Sequence, residues 1–166
     1  MTTLIFFFLF CQVLGAFSGV FAAIWGERAY ICAMRDGKID TAEQEHLAVI
    51  GKGLRFGMSL LLTASLALIV SAYTLHNALQ PALTASYWIF ITLALLIIGI
   101  SWALSRRRIS FVFGSAAAFA AWWLLAYLTL GRLPISFGSA VALYVVFTAI
   151  MYAVLRSVHF LALRKR

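Results

Sequence analysis

TLIFFFLFCQVLGAFSGVFAAIW, residues Thr3–Trp25, contains no Asp, Glu, Lys or Arg. A helix rises about 1.5 Å per residue, so a run of this length crosses a hydrocarbon core about 30 Å thick. Working outward, four more runs share this character: Phe56–Leu75, Ala85–Leu104, Ile109–Leu130 and Ile135–Leu155. Backbone groups in lipid must be satisfied within the protein, which leaves helices or closed barrels. Barrel strands alternate apolar and polar residues, and these runs are continuous. The reading is an all-α polytopic transmembrane helix bundle of five spans.

Composition carries the same message. The chain of 166 residues is 64% hydrophobic and 11% charged, too little polar surface for a soluble domain of this size. One integral membrane domain is expected to occupy residues 1–166. A net charge of +8 would indicate nucleic acid in a soluble protein. Here it is accounted for by membrane orientation and by attraction to anionic headgroups, and no nucleic acid partner is expected.

Of the thirteen lysines and arginines, Arg132 alone falls on one side of the topology. The other side collects Arg28, Arg35, Lys38, Lys52, Arg55, Arg106, Arg107, Arg108, Arg156, Arg164, Lys165 and Arg166. The positive-inside rule puts that side in the cytoplasm, with the N-terminus outside and the C-terminus inside. Such an arrangement requires an odd number of spans, as found. Arg106, Arg107, Arg108, Arg164, Lys165 and Arg166 are the expected contacts for anionic lipid. Met1–Phe10 lacks the basic residues that begin a secretory signal, so the first span is read as retained.

The connections differ in length. Leu75–Thr84, Ser105–Arg108 and Gly131–Pro134 are short, and short connections are expected to make sequential helices antiparallel neighbours. Residues 26–55 are long enough for a cytoplasmic helical hairpin between spans 1 and 2. Its first arm extends span 1 as far as Asp36-Gly37, where glycine suits a helix terminus. Asp40 and Glu43 have capping-box spacing, so a second arm is predicted from Thr41 with Leu47, Ile50 and Leu54 on one stripe. Asp36–Glu43 also looks like the second half of an EF-hand loop. Its first and third ligand positions would be Cys32 and Met34, which offer no hard oxygen, so calcium is not expected.

This segment carries a resemblance. A long first span, an Asp36-Gly37-Lys38-Ile39-Asp40 turn with Glu43, and a polar helix entering the second span resemble a set of small, functionally uncharacterised bacterial multi-spanning proteins. The resemblance covers about the first 75 residues and implies a bacterial inner-membrane protein. It transfers no active site.

No catalytic residue, metal set or cofactor motif stands out. His46, His76 and His159 form no cluster by sequence and read as exposed or interfacial. Cys11 and Cys32 lie about 31 Å apart on one helix, too far to pair within the chain. No charge falls inside a span; Arg156, Glu27 and Arg28 read as interfacial.

Small residues carry the packing signal. Gly15-x-x-x-Gly19-x-x-x-Ala23 permits close helix approach in span 1, and Gly138-x-x-x-Ala142 repeats the pattern in span 5. Trp122 and Trp123 lie too deep for an interfacial belt and are expected to fill the bundle or cover a lipid-facing groove. Gln12 sits about 14 Å into its span, where its amide needs a polar partner or ligand. Thr63, Ser65, Thr92 and Thr148 lie at similar depth.

Two function classes follow. One is a non-enzymatic protein that binds a partner or lipid through its basic face and hairpin, with a homo-oligomer or another membrane protein as the partner. The other is an oligomeric transporter or channel for a neutral or lipophilic solute. The lack of buried charge favours the first.

Overall fold

The structure, a computed structural model, describes residues 2–34, 41–74, 84–130 and 136–164. Their side chains are included except at 2, 30, 33–34, 41–44, 46–47, 159 and 161–164. It is all-helical: α1 (Thr2–Met34), α2 (Thr41–Thr74), α3 (Ala85–Ser105), α4 (Phe111–Thr129) and α5 (Phe137–Arg164). Each helix contains a stretch long and apolar enough to cross a membrane. By length and composition this is a multi-pass membrane protein. Its exterior agrees, because Phe6, Phe10 and Phe21 on α1, Leu66 on α2, Leu95 on α3 and Val145 on α5 all point outward. Water would not tolerate so continuous an apolar surface on a monomer.

The two arms predicted between the first spans are continuous with them: α1 extends to Met34 and α2 starts at Thr41. The turn of Asp36, Gly37 and Asp40, and the side chain of Glu43, lie outside the described residues. So do His76, Arg132, Lys165, Arg166, the connections from Leu75 and Gly131, and the side chains of His46, Leu47, His159 and Arg164.

Local chemistry sets the described ends. The Thr84 hydroxyl accepts from the Tyr87 amide at 3.3 Å, capping α3. Ser136 does the same for α5 through the Ser139 amide at 3.3 Å. α3 stops in a Schellman motif: the Arg108 amide donates to the Ala103 carbonyl at 2.9 Å and the Arg107 amide to Leu104 at 3.0 Å. Arg107 occupies the left-handed position with φ 52°, where glycine is the usual residue. Several hydroxyls within the helices bond their own turns, as Thr92 does to the Trp88 carbonyl at 2.8 Å.

α4 is the centre of the bundle, packing on α1, α3 and α5, while α1 packs along α2. Gly114, Ala116, Ala117, Ala120 and Ala121 make it thin enough to be surrounded. A Cβ at Gly114 would stand 2.6 Å from Leu104 of α3. On the α5 side, the Tyr144 hydroxyl donates to the Ala117 carbonyl at 3.3 Å.

The expectation that every pair of consecutive helices packs together fails at α2 and α3, which share no packed seam among the described residues. α4 takes the place beside α1 instead. Trp122 forms that contact: its ring is buried at 2% exposure and sits against Gly19, where any Cβ would overlap it. Trp123, the next residue, is exposed and stacks obliquely on Phe119 at 6.3 Å.

Candidate functional site: a cavity between four helices

The order α2–α1–α4–α3 forms three sides of an enclosure, and the missing α2–α3 seam is the fourth. Inside lies a cavity of about 650 Å³, within the range of about 300–1,000 Å³ typical of small-molecule sites. Each wall is one helical face. α1 contributes Ala22, Ala23, Gly26 and Glu27; α2 contributes Ile50, Gly51, Leu54, Arg55 and Met58. From α3 come Ile97, Ile98, Ser101, Trp102, Leu104 and Ser105, and from α4 Phe111, Ser115, Ala118, Phe119 and Trp122. The lining is predominantly apolar, with its charges confined to Glu27 and Arg55.

The depth of those charges follows from how α1 and α2 cross. A Cβ at Gly15 would come within 2.8 Å of the Leu61 amide nitrogen, and one at Gly57 within 2.9 Å of the Gly15 carbonyl oxygen. The backbones are therefore in contact, as small residues allow. Farther along, Gly53 faces Ala22 and Gly26 faces Ile50. This antiparallel register sets Arg55 level with Phe21 of α1, about 9 Å inward of Glu27. Arg55 thus starts inside the first span's apolar length, not at its edge as its place before Phe56 implies. Its side chain remains exposed, as a guanidinium on a long stem can be. Glu27 is half-buried and one carboxylate oxygen is shut off from solvent, so it is turned into the bundle rather than out to the interface.

Further cations lie close to the lining. The Arg106 and Arg108 guanidiniums lie 5.2 and 5.1 Å from the Trp102 ring centroid. Cation–π attraction holds both against Trp102, itself a lining residue, while the two arginines stand outside the lining. Arg28 similarly lies 5.6 Å from the Trp25 ring.

The other residues singled out from sequence divide clearly. Gly15 and Gly19 form the backbone contact just described. Gly138 and Ala142 are exposed, and a Cβ at Gly138 would meet nothing within 4 Å. Arg106, Arg107 and Arg108 are exposed at the α3–α4 turn. Gln12 is half-buried and is not part of the cavity lining. No hydrogen bond among the described residues joins Gln12 to Thr63, Ser65, Thr92 or Thr148. Thr63 and Thr92 face outward, and Thr92 has satisfied itself on its own helix. Cys11 and Cys32 are both free thiols.

Sequence reasoning missed Glu27 and Arg55. The signal for Glu27 was present: Gly15, Gly19, Ala23 and Glu27 continue one four-residue spacing, so the carboxylate lies on the face that the small residues turn inward. Arg55 needed the α1–α2 register, which one helix's sequence does not contain.

Compared with family models, curated proteins and solved structures, the chain matches none of them.

Proposed function

We propose that this is a non-enzymatic lipid-binding protein of a bacterial inner membrane, with its basic end in the cytoplasm and its N-terminus outside. The observation that carries this reading is the cavity: apolar walls, Arg55 in the lining, exposed arginines beside Trp102, and a side between α2 and α3 that no packed seam closes. A ligand entering there comes from the bilayer rather than from water, so an amphiphile is the fitting class. Its tails remain continuous with the membrane while its polar end lies near Arg55 and Trp102, at the basic end of the cavity. The exposed basic residues of the same end contact the surrounding anionic headgroups.

Native mass spectrometry of the purified protein tests the ligand class. The wild type should retain lipid after extraction, and Ala118→Trp, which fills the cavity from the α4 wall, should lose it while keeping its melting temperature. A lipid-free wild type, or equal retention by the variant, overturns the reading. Orientation is tested in a Cys11→Ser, Cys32→Ser background. Gln80→Cys should react with an impermeant thiol reagent in intact cells and Gln44→Cys only after lysis. The opposite pattern would reverse the orientation.

A further inference from the structure

The cavity contains one carboxylate and one guanidinium, on neighbouring helices and at different depths. Resting on the lipid-binding reading, we infer that its preferred occupant is a phospholipid whose headgroup joins a phosphate to a primary ammonium, the phosphoethanolamine class. The order of charges along the cavity supports this choice. From its tails outward, such a lipid presents acyl chains, glycerol, phosphate and finally the amine. In the protein, Arg55 is the inner charge and Glu27 lies about 9 Å nearer the basic end. Phosphate therefore meets guanidinium and ammonium meets carboxylate, without turning the lipid over. The arginine stem shortens the separation by extending toward the interface.

Apolar contacts follow the same order. Met58, Ile97 and Trp122 line the inner end, where the first methylenes would lie, and the open α2–α3 side lets the chains continue into the bilayer. Ser101, Ser105 and Ser115 add hydroxyls on the α3 and α4 walls. A purely anionic headgroup is a poorer fit. It satisfies Arg55 but brings a negative charge toward Glu27, whose burial magnifies the repulsion. A choline headgroup has the right charges but no N–H to donate, so it forfeits the hydrogen bond that a carboxylate would accept. The anionic lipid expected from the basic residues belongs at the exposed Arg106–Arg108 turn, outside the cavity.

The test uses the full chain in nanodiscs containing equal parts of phosphatidylethanolamine, phosphatidylcholine and phosphatidylglycerol with the same acyl chains. Protein is then released for native mass spectrometry. Phosphatidylethanolamine should be retained about tenfold over phosphatidylcholine, the effect of one charge-assisted hydrogen bond. Glu27→Gln should erase that preference, and Arg55→Gln should lower retention of all three. The three-lipid comparison on wild-type protein needs no variant, so misfolding of a mutant leaves the inference decidable. Retention without preference for the amine, or preference for phosphatidylglycerol, overturns the headgroup assignment while lipid binding stands. No retained lipid of any kind overturns both.

Discussion

α2 borders two neighbours and treats them differently. Toward α1 it presents Gly53, Gly57 and Leu61, and the two backbones touch. Toward α3 it presents Leu54, Arg55 and Met58, and a cavity intervenes. Both faces belong to one apolar helix, so hydrophobicity does not distinguish them. In lipid it has little power to do so, because helix association there depends on shape and polar contacts. The glycines give the α1 face its shape. The α3 face carries Arg55 instead, and α3 has no acidic residue to meet it; burying a guanidinium against Ile97 and Ile98 would be costly.

If that contrast is correct, the largest loss should come from the residue that holds α4 beside α1. Trp122→Ala should destabilise the bundle by about 3–5 kcal/mol in a reversible denaturation assay, because the seat at Gly19 is emptied. Gly15→Val comes next, at about 1–3 kcal/mol, since its Cβ meets backbone that cannot move aside. Gly138→Val in the same assay is the internal control. Its open surroundings should hold the change within about 0.5 kcal/mol. Equal effects at Gly15 and Gly138 would break the comparison.

Arg107→Gly tests the α3–α4 turn. Relieving a left-handed arginine should stabilise the protein by about 1 kcal/mol. The sign is therefore opposite to that at Gly15, and a loss would mean that the Arg107 side chain outweighs its backbone strain. The smallest effect should be Gln12→Leu, below about 0.6 kcal/mol, the average for an intramembrane hydrogen bond. A larger loss would show that Gln12 makes the contact that sequence depth alone led one to expect.

These cases also mark what the sequence could reveal. The five helices were legible because a run such as Thr3–Trp25 has only one way to satisfy its backbone in lipid. α2 begins at Thr41, where the Asp40–Glu43 spacing predicts a helix start, while the cap itself lies outside the described residues. Gly15 and Gly19 were visible as a stripe, but Gly138 and Ala142 make an equally good stripe and contact no neighbouring helix at Gly138. Spacing shows that a close approach is allowed, not that a partner arrives. The cavity was not legible, because it depends on the absence of an α2–α3 seam. Connection length had pointed the other way, and the α1–α4 contact through Gly19 and Trp122 joins residues more than a hundred positions apart. Arg55 was misplaced for a related reason: its depth is a property of two helices in register.

The central claim is that the space between α2 and α3 opens to lipid, and Trp122 reports on it from the inner wall. A protein with Trp25, Trp88, Trp102 and Trp123 changed to Phe leaves Trp122 as the sole indole. Its fluorescence can be read in vesicles of phosphatidylethanolamine brominated on the acyl chain. The expected result is quenching close to that of a single Trp123, which faces the exterior, and protection of Trp122 when Ala118→Trp is replaced by the non-fluorescent Ala118→Leu as the cavity-filling change. A Trp122 signal as bright in brominated as in unbrominated lipid would mean that no chain enters, and would contradict the account.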